Sequence, residues 1–193
     1  MKSFLLSALA ACIATTALAA DLPTPPPSDW LKQAELFGAV AAAKPDEPVI
    51  AWERDNQALL SSGFLFDLSR RLLPRDPDQA LEWYAIALIR GHYDAGRCLD
   101  DTARRAVSRL SGMAEEVARY GHTHPHDFGA AGLRALARPD LLTHTISPDW
   151  VCAQGLSGMG ARSAGTTPPS AWPAVEQRLR RDYTKQFEAM AKR

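Results

Sequence analysis

Three histidines alternate with a threonine and a proline in His122-Thr123-His124-Pro125-His126, and Asp127 follows directly. In an extended stretch alternate side chains point the same way, so these imidazoles could gather on one transition metal, with His144 as the fourth ligand. Durable sites usually draw their ligands from separate rigid elements, and a polar connection between two helices is the simpler reading of such a run. The expectation is that His122, His124 and His126 are exposed and that no stoichiometric metal or other cofactor is bound. The competing arrangement is a periplasmic metal-dependent or hydrolytic enzyme built around this loop.

Other routes to chemistry are closed. Gly155-Leu156-Ser157-Gly158-Met159 lacks the glycine two places after the serine that a nucleophile elbow needs. No H-E-x-x-H, phosphate-loop or dinucleotide-binding pattern occurs. Asp100-Asp101 and Glu115-Glu116 are adjacent pairs, which on a helix point roughly 100° apart and read as caps and solvated face. The residues therefore predict no catalytic centre.

Cys98 and Cys152 remain once a leader is set aside, and they carry the second chemical signal. Lys2, an apolar run over 4–13, and small residues up to Ala19 have the layout of a secretory signal peptide over 1–19. That run is too short to span a bilayer, and the product is expected to be periplasmic or secreted. Leu9-Ala10-Ala11-Cys12 offers the alternative of a lipoprotein anchored through Cys12. Against it, the apolar core before Cys12 is very short, and apolar character continues beyond it. In an oxidising compartment Cys98 and Cys152 have one possible pairing, worth about 4 kcal/mol on the chain-entropy model.

Charge excludes further partners. The chain has 22 basic and 22 acidic residues, and loss of Lys2 leaves the mature form at −1. Such a balance supplies no field to recruit nucleic acid. No later segment has the length of apolar sequence that a transmembrane helix requires. Arg178, Arg180, Arg181 and Lys185 are interleaved with Glu176, Asp182 and Glu188, a pattern of ordinary solvated surface.

The elements that must position these groups read as helices, roughly six in all. A proline-rich extended spacer over 20–27 precedes a single helical domain over 28–193. Ser28 is the expected cap of a first helix with apolar positions Leu31, Ala34, Phe37 and Val40. A second helix is expected over 50–73, a third from Asp76 or Asp78 to Ile89 and stopped at Gly91, and a fourth over 102–120 closed by Gly121. A short helix over 127–137 follows. A mobile Gly/Ser/Pro loop over 155–169 then leads to an amphipathic C-terminal helix starting at Ser170. No strand-like alternation appears, so the class is all-α.

Within 75–100, Ala80, Trp83, Tyr84, Ala87, Leu88, Gly91, Ala95 and Leu99 sit at offsets typical of two short packed helices. The segment 58–100 resembles one unit of the Sel-like repeat, a tetratricopeptide-related helical pair, with Leu88 and Asp100 replacing an alanine and a glycine of its pattern. The resemblance implies a tetratricopeptide-like helical pair closed at Gly91 and a scaffold that binds another protein. Its exported members act in envelope assemblies or as inhibitors that neutralise toxins. The functional expectation is accordingly an exported protein-binding module with no enzymatic activity.

Overall fold

A computed structural model of the protein describes residues 22–26, 29–44, 46–156 and 165–193. The leader with Cys12, the expected cap Ser28, and residues 157–164 of the expected mobile loop lie outside them. The described chain is all-helical. Eight α-helices have eight residues or more: α1 (Trp30–Ala42), α2 (Asp46–Asp55), α3 (Ser62–Leu72), α4 (Pro77–Gly96), α5 (Arg104–Ser111), α6 (Glu115–Thr123), α7 (Pro125–Ala137) and α9 (Trp172–Met190). A single turn, α8 (Asp149–Cys152), lies between α7 and α9. Among the described residues the only β pairing is an isolated bridge between Cys98 and Thr166.

Helix α4 is the axis of the fold. Asp76 caps it by accepting from the Gln79 amide at 2.9 Å, and Pro77 occupies its first turn. It touches α3, α5, α6, α7, α8 and α9. Ala80, Leu81, Trp83, Tyr84, Ile86, Ala87 and Ile89 are all buried, so no apolar stripe with a wet reverse face exists along its middle. An aromatic series crosses the core from α3 to α9. Phe66 meets Tyr84 at 5.3 Å, Tyr84 meets Phe128 at 5.9 Å, and Phe128 meets Phe187 at 5.6 Å between ring centres, each edge to face.

Several sequence expectations are corrected here. The chain does not turn at Gly91, because α4 continues to Gly96. A Cβ at Gly91 would lie 2.9 Å from Val107 Cγ1 and 3.2 Å from Ser62 Oγ, so the glycine admits α5 and α3 to close approach. Packing on several sides outweighs the roughly 1 kcal/mol that a mid-helix glycine costs. The pair that forms is α3 with α4, joined across 73–76. Ala95 packs inside, but Leu99 lies past the helix end and is 60% exposed.

The helix expected over 50–73 divides into α2 and α3, because its middle carbonyls are claimed from elsewhere. Arg90 takes the Gln57 carbonyl at 2.8 Å, the Thr145 amide donates to Ala58 at 2.9 Å, and Gln33 Nε2 donates to Leu59 at 2.8 Å. These acceptors serve tertiary partners in place of the helical ladder. The helix expected over 102–120 is likewise interrupted by a 3₁₀ turn at Gly112–Ala114, and α6 runs past Gly121 to Thr123. Asp29, whose Oδ1 accepts from the Lys32 amide at 3.1 Å, caps α1. The proline segment folds back onto α1, where the Pro26 carbonyl accepts from Gln33.

Gly129 and Gly132 set the distance between α7 and α9. A Cβ at Gly129 would run into the Phe187 carbonyl and the Ala191 backbone, and one at Gly132 would enter the Phe187 ring. Since backbone cannot swing aside, Gly129→Ala should lower stability by about 1–3 kcal/mol, as overpacking does. Urea unfolding followed by tryptophan fluorescence would measure it, and an unchanged midpoint would show that α9 is not packed this closely.

Candidate functional site

Helix α1 buries Gln33, Leu36 and Val40. Of the expected apolar positions Leu31, Ala34, Phe37 and Val40, Val40 is fully buried, but the others turn outward: Leu31 is 58% exposed, Ala34 is exposed, and Phe37 is half-buried with its ring 5.1 Å from Phe64. Beside it runs a groove of about 210 Å³ between α1, α3, α5 and α8, walled by Trp30, Ala34, Phe37, Leu110 and Trp150. Polar groups are few. Gln33 spends its Nε2 on the Pro26 and Leu59 carbonyls, while its buried Oε1 has no hydrogen-bond partner. Arg109 stands on the rim with one long hydrogen bond to the Gln154 carbonyl and no carboxylate partner. An apolar groove with one cationic group on its rim can hold an apolar side chain.

The titratable groups buried around Asp94 are consumed internally. Asp94 is 1% exposed, and it accepts from His144 Nε2 at 2.7 Å, from Trp150 Nε1 at 2.8 Å, and from the Arg97 guanidinium. Burial alone would push its carboxyl up, but His144, Arg97 and Trp150 together hold it below the usual carboxylate range. The carboxylate can only accept, so His144 Nε2 carries a hydrogen. Nδ1 of His144 is enclosed and has no partner, which means that no hydroxyl or thiol stands ready for activation by this pair. Arg97 is further held between the Tyr93 and Trp172 rings, 4.6 and 4.7 Å from their centres. The cluster ties α4 to α8 and to the segment between α7 and α8. It is a structural joint.

His144 is therefore not a partner of the other three histidines. His122 ends α6, His124 links the two helices and His126 opens α7, so the stretch is not the extended strand assumed for convergence. All three are exposed, as expected. His124 stacks on Tyr120 at 4.0 Å, and His126 lies 3.2 Å from Asp127. Among the described residues no group of three or more His, Cys, Asp or Glu side chains is placed to hold a metal.

Cys98 and Cys152 are brought to disulfide-bonding distance, joining the end of α4 to α8 beside the Asp94 cluster. No helix among the described residues is long and apolar enough to cross a membrane. Comparisons with family models, curated proteins and solved structures give no match to this chain.

Two buried carboxyls went unsuspected in the sequence, and they behave oppositely. Asp67 pairs with Arg71 at 2.6 Å and with Arg70 at 2.5 Å. Glu53 is fully buried, and neither of its oxygens has a partner. Burial, chiefly, and then the Asp67 charge raise its carboxyl well above the usual range, against the pull of Arg71 and Arg70. Only the place of Glu53 one helical turn after the apolar Val49 and Ile50 hints at this, and that signal is weak.

Two predictions follow from these groups. The folded state holds a proton on Glu53 that the unfolded chain releases near the ordinary glutamate value of 4.5, so stability falls as pH rises above that value. Glu53→Gln should gain stability over the parent by up to about 1.4 kcal/mol per pH unit between pH 4.5 and the raised folded value. Melts across pH 4–8 would check this, and a constant difference would refute it. For the cysteines, thiol titration of denatured, unreduced Cys12→Ser chain from the oxidising compartment should find no free sulfhydryl. Two free thiols would mean that the pair does not close.

Proposed function

We propose that this chain is an exported helical module that binds another protein in the cell envelope, as a scaffold or as an inhibitor or immunity protein for a toxin. The observation that carries this reading is the outward apolar face of α1 and the groove beside it. Trp30, Ala34 and Phe37 form a continuous wall, and Leu31 adds exposed apolar surface on the same helix. Apolar surface grouped in this way, with a polar rim, is characteristic of a recognition site. Arg109 would meet an acceptor at the edge.

Two further features support the reading. The pairing of Cys98 with Cys152 suits an oxidising compartment, in keeping with the leader-like first nineteen residues. The α3–α4 pair gives the likeness to Sel-like units a physical basis as a helical scaffold, though its turn lies at 73–76. An enzymatic role draws no support from the polar groups. The exposed histidines do not converge with His144, and the Asp94–His144 pair has no nucleophile beside it.

Site-specific photo-crosslinking tests the assignment directly. A benzoyl-phenylalanine at Ala34, in the full chain expressed in its own envelope, should give one discrete protein adduct. The same probe at Gln186 on α9 should give none. No adduct at position 34, or the same adducts from both positions, would count against the groove as the binding surface.

A further inference from the structure

A second hollow, of about 320 Å³, lies where α4, α5 and α9 meet, and it shares no lining residue with the α1 groove. Its floor is Gly96, Val175 and Leu179, and its polar lining is His92, Tyr183, Gln186, Arg104, Arg178 and Asp182. The two arginines come from different helices, Arg104 from the first turn of α5 and Arg178 from α9. Neither guanidinium has a hydrogen bond or an ion pair with any described residue. Every arginine of the Asp67 and Asp94 clusters, by contrast, is paired. Asp182, the one carboxylate in the lining, lies beyond 4 Å of both, since no ion pair joins them.

His92 registers the resulting field. Its Nδ1 lies 2.6 Å from Tyr183 Oη, a contact that orients the ring and leaves Nε2 without a protein partner. Burial, chiefly, lowers the imidazole from its usual range, the Leu88 carbonyl opposes this, and the Arg104 charge lowers it further. Two unneutralised guanidiniums beside a half-buried neutral imidazole are an arrangement that an anion would complete.

We propose that this hollow binds a phosphate group, held by the guanidiniums of Arg104 and Arg178 against His92. Guanidinium forks match the oxygens of a tetrahedral anion, and two forks arriving from separate helices can each take a different pair of its oxygens. The apolar floor of Val175 and Leu179 leaves room for a small organic substituent, so the ligand class is a phosphomonoester or a phospholipid headgroup. Asp182 on the rim selects against a second anionic group on that side.

The test uses the five histidines as reporters, with His92 assigned through its loss in His92→Gln. Proton NMR titrations are run in chloride and in inorganic phosphate at equal ionic strength. Phosphate should raise the His92 midpoint while those of the exposed His122, His124 and His126 stay together. Arg104→Gln and Arg178→Gln should each weaken the phosphate half-saturation about tenfold, the loss of one charge-assisted contact. A second arm replaces phosphate by phosphatidylglycerol vesicles, with phosphatidylcholine vesicles as reference. Co-sedimentation that is lost in R104Q/R178Q but kept in R181Q/K185Q would assign the group to a lipid headgroup. A response to inorganic phosphate alone would assign it to a soluble ester. The proposal is overturned if neither arm responds, if all exposed histidines shift with His92, or if R181Q/K185Q weakens binding as much as R104Q/R178Q.

Discussion

Everything in this fold depends on a buried arginine in the middle of α4. Arg90 is 1% exposed, yet no carboxylate neutralises it directly. It donates from Nε to the Leu141 carbonyl at 2.7 Å, from one amino group to the Gln57 carbonyl at 2.8 Å, and from the other to the Asp140 carbonyl at 3.0 Å and to Gln57 Oε1. Burial lowers its guanidinium to about 10, with Asp140 and Asp94 opposing, so it remains protonated at neutral pH. One planar fork thus satisfies backbone acceptors from two irregular segments that would otherwise need water. Those segments, 56–61 and 138–148, can then lie against the central helix without completing helices of their own.

Asp94 follows one helical turn later and does the complementary work. Where Arg90 gathers acceptors, Asp94 gathers donors from His144, Trp150 and Arg97. The two charges lie four residues apart and so share a face of α4, along which the irregular chain passes. Cys98 and Cys152, at disulfide-bonding distance, sit at the end of that face. Polar joints of this kind are costly to break, because each leaves a buried charge unpaired. They hold α8 in place, and α8 contributes Trp150, with Gln154 just beyond it, to the groove beside α1. The geometry of that groove is therefore set from the core.

What was legible in the sequence was whatever depended on local chemistry. The all-α class, the exposure of the three clustered histidines and a helix start at Asp76 or Asp78, of which Asp76 is the cap, all follow from spacing, capping and side-chain type. What failed depended on distant partners. Gly91 has the local character of a helix stop, but Val107 and Ser62 require its missing side chain. Residues 56–61 have apolar neighbours at helical spacing, but their carbonyls are taken by Arg90, Thr145 and Gln33 from other parts of the chain. His144 looked like a spare metal ligand, because nothing near it in sequence reveals Asp94. The groove was hidden for the same reason. The periodicity of α1 shows an apolar stripe, but only the packed neighbours decide that Gln33 goes inside and Leu31 stays out.

The placement of Gln33 shows how an exposed apolar face can arise from a folding requirement. The turn after α2 leaves the Leu59 carbonyl without a helical donor, and Gln33 supplies one. That bond rotates α1 so that a polar side chain points inward, at the expense of apolar positions that propensity alone would bury. Leu31 and Ala34 are left outside, and the other half of the Gln33 amide, Oε1, has nothing to accept. That enclosed oxygen is the cost of closing the turn, since it meets neither solvent nor a described donor. The same contact that closes the turn thus leaves the apolar wall of the groove on the outside. Covering that wall would return its apolar surface to the interior while the bond from Gln33 to Leu59 is kept.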